Sequence, residues 1–305
     1  MLRIGTTSWG EKTLIESGRF YPPTAKTSPQ RLAFYSSCFP VTELDTTYYG
    51  IPRVRTVEGW AHHTSSSFVF DVKAFRLFTR HRTPLAALPP DCRKAVPAER
   101  DVYYDDVPAS VRSELWSAFR AALEPLRRTG KLGVVLLQFA PWFVFGPESI
   151  EHLETCVSEL EGYRVAVEMR NKSWFPEHRR AETLALERAL GVSHVVVDEP
   201  QGFASSVPQV WAVTNPDASV VRLHGRNRAM WHGRRAASAS ERFDYLYPPD
   251  ELRSFVGPVR RLADEADEVH VLFNNCHLDY AQRNARALHQ LMDEAQPRPR
   301  ADLAP

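Results

Sequence analysis

The chain has 305 residues, which would suffice for two average domains, although an α/β barrel commonly uses about 250 residues as one domain. Its composition, 43% hydrophobic and 25% charged, is ordinary for a globular protein. The formal net charge is +1, so the overall charge gives no reason to expect nucleic acid or a membrane as partner.

Eight short apolar runs are spaced along the chain, and each gains charged or amide residues towards its C-terminal end. They predict strands at Leu2–Trp9, Val41–Asp45, Phe68–Lys73, Val134–Phe139, Arg164–Met169, His194–Asp198, Ser219–His224 and Val269–Asn274. Helical patterns between them predict helices at Pro29–Cys38, Val54–His62, Ser110–Arg128, Pro147–Leu160, Glu177–Leu190, Pro249–Ala266 and Tyr280–Asp293. The alternation predicts a single-domain α/β fold, a TIM-type (β/α)8 barrel over residues 1–295, with a flexible tail at 296–305.

The connections between these elements differ in length and composition. Glu199–Ala218, after the sixth strand, holds three prolines and Gly202, so we expect a degenerate helix or none there. Long loops follow the third strand (Arg76–Val107) and the seventh (Gly225–Ser240), and both are rich in basic residues. They are either solvated surface loops or an electropositive lid that attracts an anionic ligand.

Strand alternation predicts an unusually charged barrel interior. If the apolar residues of each strand face the helices, polar residues face inwards and gather towards the C-terminal mouth, where TIM barrels place their active sites. This inward set is Glu43, Asp45, Asp71, Lys73, Gln138, Glu168, Arg170, Asp198, Arg222, His224 and Asn274. Because a structural barrel is filled by aliphatic residues and buried ions are costly, a ligand or catalytic site is favoured over an ion network that only stabilises the fold.

Several inward residues have side chains suited to acid–base chemistry. Glu43, Glu168 and His224 are the main candidates, because burial and neighbouring charges can separate their pKa values. Asp198 is a further acid–base candidate. Lys73 is either a charge clamp or, less favoured among so many acids, a Schiff-base nucleophile.

Other residues near the strand ends are expected to bind substrate. Arg222 and Arg226 offer forked donors to a carboxylate or phosphate, with Lys73 as a further cation. Gln138 and Asn274 would orient a ligand by hydrogen bonds. The remaining candidates are Asp45, Tyr48, Arg170, Trp174 and Trp231, the aromatic members being suited to wall a planar or sugar-like ligand.

No cofactor is predicted. The four cysteines (Cys38, Cys92, Cys156 and Cys276) lie far apart and form no Cys-x-x-Cys pair, which disfavours a zinc or iron–sulfur site and a disulfide framework. A divalent metal on Glu43, Glu168, Asp198 and His224 is conceivable but not favoured, because Lys73 and Arg222 would compete for the carboxylates. The N-terminus enters a strand directly and no run approaches the ~20 apolar residues of a membrane span, so we expect a cytoplasmic protein without a membrane partner.

The same residues form a series of motifs that resembles domain of unknown function 72, the YecE-like family. The matching segments include Gly5-Thr6-Thr7-Ser8-Trp9, Glu43-Leu44-Asp45-Thr46-Thr47-Tyr48-Tyr49, Phe70-Asp71-Val72-Lys73, Val221-Arg222-Leu223-His224-Gly225-Arg226 and Phe273-Asn274-Asn275. They extend over about residues 1–293 and imply a TIM-type barrel, but no established reaction. Two positions depart from the family: Met169 replaces an aromatic residue, and Cys276 replaces the His after the two asparagines.

The favoured hypothesis is an enzyme of hydrolase or lyase type that acts on a small anionic or phosphorylated substrate at the barrel mouth. Two alternatives remain open at this stage. One is a metal-dependent nuclease or repair-like barrel, with the basic loops on the phosphates of nucleic acid. The other is a non-catalytic ligand-binding or regulatory module. The sequence predicts no oligomeric state.

Overall fold

The fold is an eight-stranded parallel barrel closed in chain order. The computed structural model describes residues 1–97, 100–231 and 239–295. The strands are β1 Leu2–Thr6, β2 Val41–Leu44, β3 Val69–Lys73, β4 Leu132–Gln138, β5 Val165–Glu168, β6 Ser193–Asp198, β7 Ser219–Leu223 and β8 Val269–Phe273. The TIM-type barrel predicted from the sequence is therefore confirmed.

Helices surround the barrel and bury their apolar faces against it. They are α1 Lys12–Ser17, α2 Ser28–Cys38, α3 Val54–His62, α4 Pro90–Lys94, α5 Ala109–Arg128, α6 Pro147–Glu159, α7 Arg180–Ala189, α8 Arg228–Trp231, α9 Ala239–Arg242, α10 Pro249–Glu265 and α11 Tyr280–Glu294. All seven predicted helices are present, with the largest shift at α7, which begins at Arg180 and not at Glu177. The short helices α1, α4, α8 and α9 were not predicted. No helix forms between β6 and β7, as the prolines of that connection predicted.

The register of the strands shows which side chains enter the barrel. Glu43 pairs with Asp71 and Gln138 pairs with Glu168, and residues paired in a parallel sheet face the same side. The predicted inward set is thus correct for β2, β3, β4 and β5.

Strand β6 is the exception, and its predicted parity is wrong. Val197 pairs with the inward-facing Arg222, so Val197 enters the barrel and Asp198, paired with Leu223, faces outwards. The error arises because residues 195–197 are three consecutive valines, which fit either parity and hide the alternation.

A second charged cluster closes the N-terminal end of the barrel. The ring of His270 is fully buried, with Nδ1 at 2.9 Å from Asp71 Oδ2 and Nε2 at 3.0 Å from Glu268 Oε2. Burial alone would lower the pKa of His270, but the two carboxylates outweigh it and raise the pKa to about 9. Asp71 is inward as predicted, but it stabilises the end opposite the mouth.

The carboxylate of Asp71 also explains an irregularity between β3 and β4. The pairing shifts between Phe70 and Val72, and the freed Val134 N–H donates to Asp71 Oδ1 at 2.9 Å. A Cβ on Gly133 would lie 2.1 Å from the same oxygen, so only glycine fits there.

Among the described residues, no helix has the length and apolar character needed to cross a bilayer. The predicted flexible tail at 296–305 lies outside the described residues, as do His232, Arg234 and Arg235 of the second basic loop.

Candidate functional site

The centre of the barrel holds a buried triad of one arginine and two glutamates. The side chain of Arg222 is 1% exposed, and those of Glu43 and Glu168 are fully buried. Arg222 Nε and Nη2 donate to the two oxygens of Glu43 at 2.9 and 2.8 Å, and Nη1 donates to Glu168 Oε2. This forked pairing offsets part of the desolvation of three ionisable groups that are far apart in sequence.

Glu168 accepts hydrogen bonds from three further side chains. The donors to its Oε1 are Gln138 Nε2 at 2.6 Å, Arg170 Nη1 at 3.0 Å and His224 Nε2 at 3.2 Å. With Arg222 on its other oxygen, this carboxylate is saturated with donors. Glu168 therefore organises the predicted site residues around itself and has little capacity to accept a proton from a substrate.

His224 is held as a neutral ring by its partners. Burial, opposed by Glu168 and assisted by Arg170, lowers its pKa to about 3. Its Nδ1 accepts from Asn274 Nδ2 at 2.7 Å, which places the ring proton on Nε2 facing Glu168. Asn274 is oriented in turn by Thr7, whose hydroxyl donates to Asn274 Oδ1 at 2.6 Å. In the series Thr7, Asn274, His224 and Glu168, each side chain therefore donates a hydrogen bond to the next.

The two glutamates of the triad have opposite pKa shifts. Burial raises the pKa of Glu43 to about 7, even though Arg222 and Lys73 act against it. Burial would also raise the pKa of Glu168, but Arg222, His224 and Arg170 outweigh it and hold that pKa well below its usual range. The two carboxylates that share Arg222 therefore differ in protonation near neutral pH, where Glu168 is ionised and Glu43 is partly protonated.

A cavity of about 690 Å³ opens at the C-terminal mouth next to β1 and β2. Its described lining is Thr7, Ser8, Trp9, Gly10, Glu11, Ser28, Glu43, Asp45, Thr46, Gly50, Pro52, Thr56, Trp60, Phe243, Asn274 and Cys276. Glu43 reaches this cavity, whereas Glu168 and His224 are not among its lining residues. The walls combine hydroxyl, amide and carboxylate groups with two tryptophans, a lining typical of sites for small polar ligands.

Lys73 and Asp45 form an ion pair at the edge of this cavity. Lys73 Nζ lies 2.8 Å from Asp45 Oδ1 and 4.4 Å from the centre of the Tyr48 ring. Burial would lower the pKa of Lys73, but Asp45 and Glu43 outweigh it and raise the pKa, so Lys73 remains a charged ammonium. This favours the predicted role as a charge clamp over that of a Schiff-base nucleophile.

Asp198 and Arg226 belong to a separate cluster outside the barrel. Arg226 Nη2 donates to Asp198 Oδ1 at 2.7 Å, and Arg226 Nη1 lies 3.1 Å from Glu251 Oε1. The hydroxyl of Tyr247 donates to Asp198 Oδ2 at 2.6 Å. The expectation that Asp198 joins the interior acids is therefore wrong, because its outward parity directs it to these partners.

Two predicted aromatic wall residues have different environments. Trp174 is fully buried, donates its indole N–H to the Phe143 carbonyl at 2.7 Å and lies in the core, so its predicted place at the ligand site is wrong. Trp231 lies beside the central cluster, with its ring 5.2 Å from the Arg170 guanidinium.

Sequence reasoning missed Glu199, one residue beyond β6. Its carboxylate is 3.0 Å from Arg170 Nη2 and accepts the Val207 N–H at 2.8 Å. Burial raises its pKa to about 7. Correct parity for β6 would have directed Glu199 to this interior position in place of Asp198. The cavity residue Trp60 was also missed, because nothing in the pattern of its helix distinguishes it from a packing residue.

The four residues considered as metal ligands do not converge on one point. Asp198 faces outwards, and Arg222 occupies the carboxylate oxygens between Glu43 and Glu168. Within residues 1–97, 100–231 and 239–295, no group of three or more His, Cys, Asp or Glu side chains is arranged to hold a metal ion.

Comparison with known proteins gives consistent matches along the whole chain. A family profile described as "Protein of unknown function DUF72" matches residues 3–304. The UPF0759 protein YunF of Bacillus subtilis (strain 168) is 32% identical over 295 residues, covering 96% of this chain and 95% of that protein. A crystal structure of a DUF72 family protein from Enterococcus faecalis V583 is similar with a TM-score of 0.79 at 29% identity, covering 96% of both chains. A DUF72 family protein from Thermotoga maritima MSB8 has a TM-score of 0.75 at 28% identity, covering 96% of this chain and 99% of the other.

Proposed function

Because this chain belongs to the DUF72 family of proteins of unknown function, we propose a function from the geometry of its barrel mouth. The protein is an acid–base enzyme of hydrolase or lyase type that acts on a small polar substrate, and Glu43 transfers the proton. Fold similarity alone does not support a reaction, since TIM barrels host many chemistries. The proposal depends on the site.

The observation that carries the proposal is the position of Glu43. It is the member of the central triad that lines the cavity, and its pKa of about 7 lets it gain and lose a proton near neutral pH. A group whose pKa lies near the working pH is the most effective general acid or base. Glu168 and His224 then act through Arg222 and Asn274, as positioning residues.

A second carboxylate on the same cavity wall completes the proposed pair. Asp45 is 36% exposed and is held by Lys73, so it faces the cavity as an ion-paired anion. Glu43 in its protonated form would donate to a leaving group, and Asp45 would accept a proton from the attacking or eliminated group. This arrangement is common to hydrolytic and eliminating enzymes.

The expected negative charge of the substrate needs a cation that is available to it. Arg170, Arg222 and Arg226 are each paired with carboxylates, so an anion would have to displace an existing partner. We retain the expectation of an anionic substrate, but these three arginines do not supply the group that binds its charge.

The test is the identification and turnover of a retained ligand. Native mass spectrometry of the purified protein, with metal analysis, would identify a small molecule bound in the cavity. That molecule is then assayed with the wild type, with Glu43→Gln, and with Glu58→Gln as a control on the exposed face of α3. We expect Glu43→Gln to bind the molecule but lose turnover by at least about a hundredfold, and Glu58→Gln to match the wild type. Unchanged turnover in Glu43→Gln would refute the assignment.

A further inference from the structure

Among the described residues, several cations at the barrel mouth are paired with carboxylates, whereas the half-buried Arg76 is not. Within the described parts of the chain, its guanidinium has neither a hydrogen-bond acceptor nor a carboxylate partner, and its contact is with the ring of Tyr48 at 5.1 Å. Its Nε is shielded from solvent without an acceptor. A buried donor without a partner is rare in proteins and indicates a place for an acceptor.

We propose that Arg76, Lys73 and His81 around the ring of Tyr48 form a subsite that binds an oxyanionic group of the substrate carrying one negative charge. The inference rests on the proposed function, since it names the charged part of the molecule whose reacting part would lie beside Glu43.

The backbone holds the subsite rigidly next to the cavity. Arg76 N–H donates to the Tyr48 carbonyl at 3.1 Å, and His81 N–H donates to the Arg76 carbonyl at 3.1 Å. Tyr48 ends the 3₁₀ turn Thr46–Tyr48, whose first residue lines the cavity. The same 3₁₀ turn therefore connects the wall of the cavity to the subsite.

Two other arginines of the basic loop after β3 are paired with acids of the same loop. Arg80 pairs with Asp105 at 2.7 Å and Arg82 pairs with Asp101 at 2.9 Å, all within the same loop. Arg93 and Arg100 of this loop are exposed, whereas Arg76 at its start is half-buried. Partial burial and the lack of an acceptor for its Nε among the described residues distinguish Arg76 from a charged side chain on the protein surface.

The environment of His81 indicates a positive potential at the subsite. Burial, together with Lys73, Arg76 and Arg170, lowers the pKa of His81 to about 3. Its Nδ1 lies 2.9 Å from Thr79 Oγ1, and its ring contacts Tyr48 and Trp142 edge-on. An anion beside Arg76 would offset these three cations and raise the pKa of His81, which gives binding a local reporter.

The charge balance defines the class of ligand. Asp45 balances Lys73, so Arg76 supplies one unmatched positive charge. A guanidinium fork matches two oxygens of a carboxylate or of a phosphodiester, and both groups carry a single negative charge. Acetate and dimethyl phosphate distinguish these two sources.

The experiment is a titration of the full chain with each probe at pH 7 and constant low ionic strength, where both probes are anions, followed by NMR of the His81 ring. We expect one of the two probes to shift the His81 ring signals in a saturable way. We expect Arg76→Gln to weaken that binding tenfold or more, as expected for loss of a charge-assisted pair. Arg76→Lys should retain an intermediate affinity, because it keeps the charge and loses the fork.

Arg82→Gln is the matched control, since it removes a paired arginine from the same loop, and it should bind like the wild type. Urea unfolding of each variant verifies that the barrel is intact. The proposal is overturned if neither probe shifts the His81 ring signals, or if Arg76→Gln binds as tightly as the wild type. Because binding is measured without turnover, the two proposals are tested separately. Absence of anion binding would not refute the acid–base role of Glu43, and refutation of that role would not refute the anion subsite.

Discussion

Replacement of Arg222 by methionine should destabilise the protein by about 3–5 kcal/mol at pH 7, the usual cost of breaking a buried ion pair from one side. The magnitude depends on what remains around each glutamate. Glu168 keeps Gln138, Arg170 and His224 as donors, but Glu43 accepts from Arg222 alone within the described part of the chain. Most of the cost should therefore fall on Glu43.

The destabilisation should depend on pH in a defined direction. A carboxyl group whose pKa is higher in the folded protein than in the unfolded chain loses stability as pH rises from the unfolded value to the folded one, by about 1.4 kcal/mol per pH unit. In the wild type this loss ends near pH 7, where Glu43 ionises. Without Arg222 the pKa of Glu43 should rise further, so the loss continues and the difference between the two proteins widens above pH 7.

Urea denaturation at a series of pH values measures both effects, provided that the slope of the unfolding free energy against urea concentration is the same for the variant and the wild type. Arg82→Met is the control, because its side chain is 63% exposed and its pair with Asp101 should contribute only about 0–1 kcal/mol. A cost below about 1 kcal/mol for Arg222→Met at pH 7, with no widening above it, would refute the central triad as a paired, buried unit.

Two further predictions concern the N-terminal end of the barrel. The pKa of His270 is raised to about 9, so the stabilisation from its charged ring is present below about pH 6.5 and is lost as pH rises through 9. The difference in unfolding free energy between the wild type and His270→Gln, measured by urea titration, should therefore shrink by roughly 2–4 kcal/mol over that range. A gap independent of pH would show that the buried ring is uncharged. Gly133→Ala should lower the free energy of unfolding by roughly 1–3 kcal/mol or more, because the added Cβ would lie 2.1 Å from Asp71 Oδ1. The control is Gly59→Ala on α3, which has no atom within 4 Å of the added Cβ and should be neutral or stabilising. Equal thermal stability of the two alanine variants would contradict the close packing at Asp71.

The sequence alone predicts the barrel and most of its interior because both follow from local alternation. Glu43, Lys73, Glu168 and Arg222 each lie among apolar neighbours that face the helices, and the period of two then directs them inwards. Where alternation is absent, as in the three valines of β6, the prediction failed. Asp198 was consequently placed inside the barrel and Glu199 was overlooked.

The partners of these residues could not be predicted from the sequence. Arg222 and Glu43 are 179 positions apart, and their pairing depends on the closure and stagger of the barrel. The sequence also does not show that Arg222 and Arg226, both expected to bind an anionic ligand, are each paired with carboxylates of the protein. Arg76, in a loop of many basic residues, is distinguished by its partial burial together with an Nε that has no acceptor in the described structure.

The proposed acid–base role of the cavity depends most directly on the ionisation of Glu43. Carbon-13 NMR of glutamate carboxyl groups, with Glu43→Gln to assign the signal, measures its pKa in the folded protein. We predict a titration near pH 7, well above the ordinary value for glutamate and absent from the variant. A Glu43 signal that titrates near 4.5 would contradict its proposed role as the proton-transfer group of the cavity.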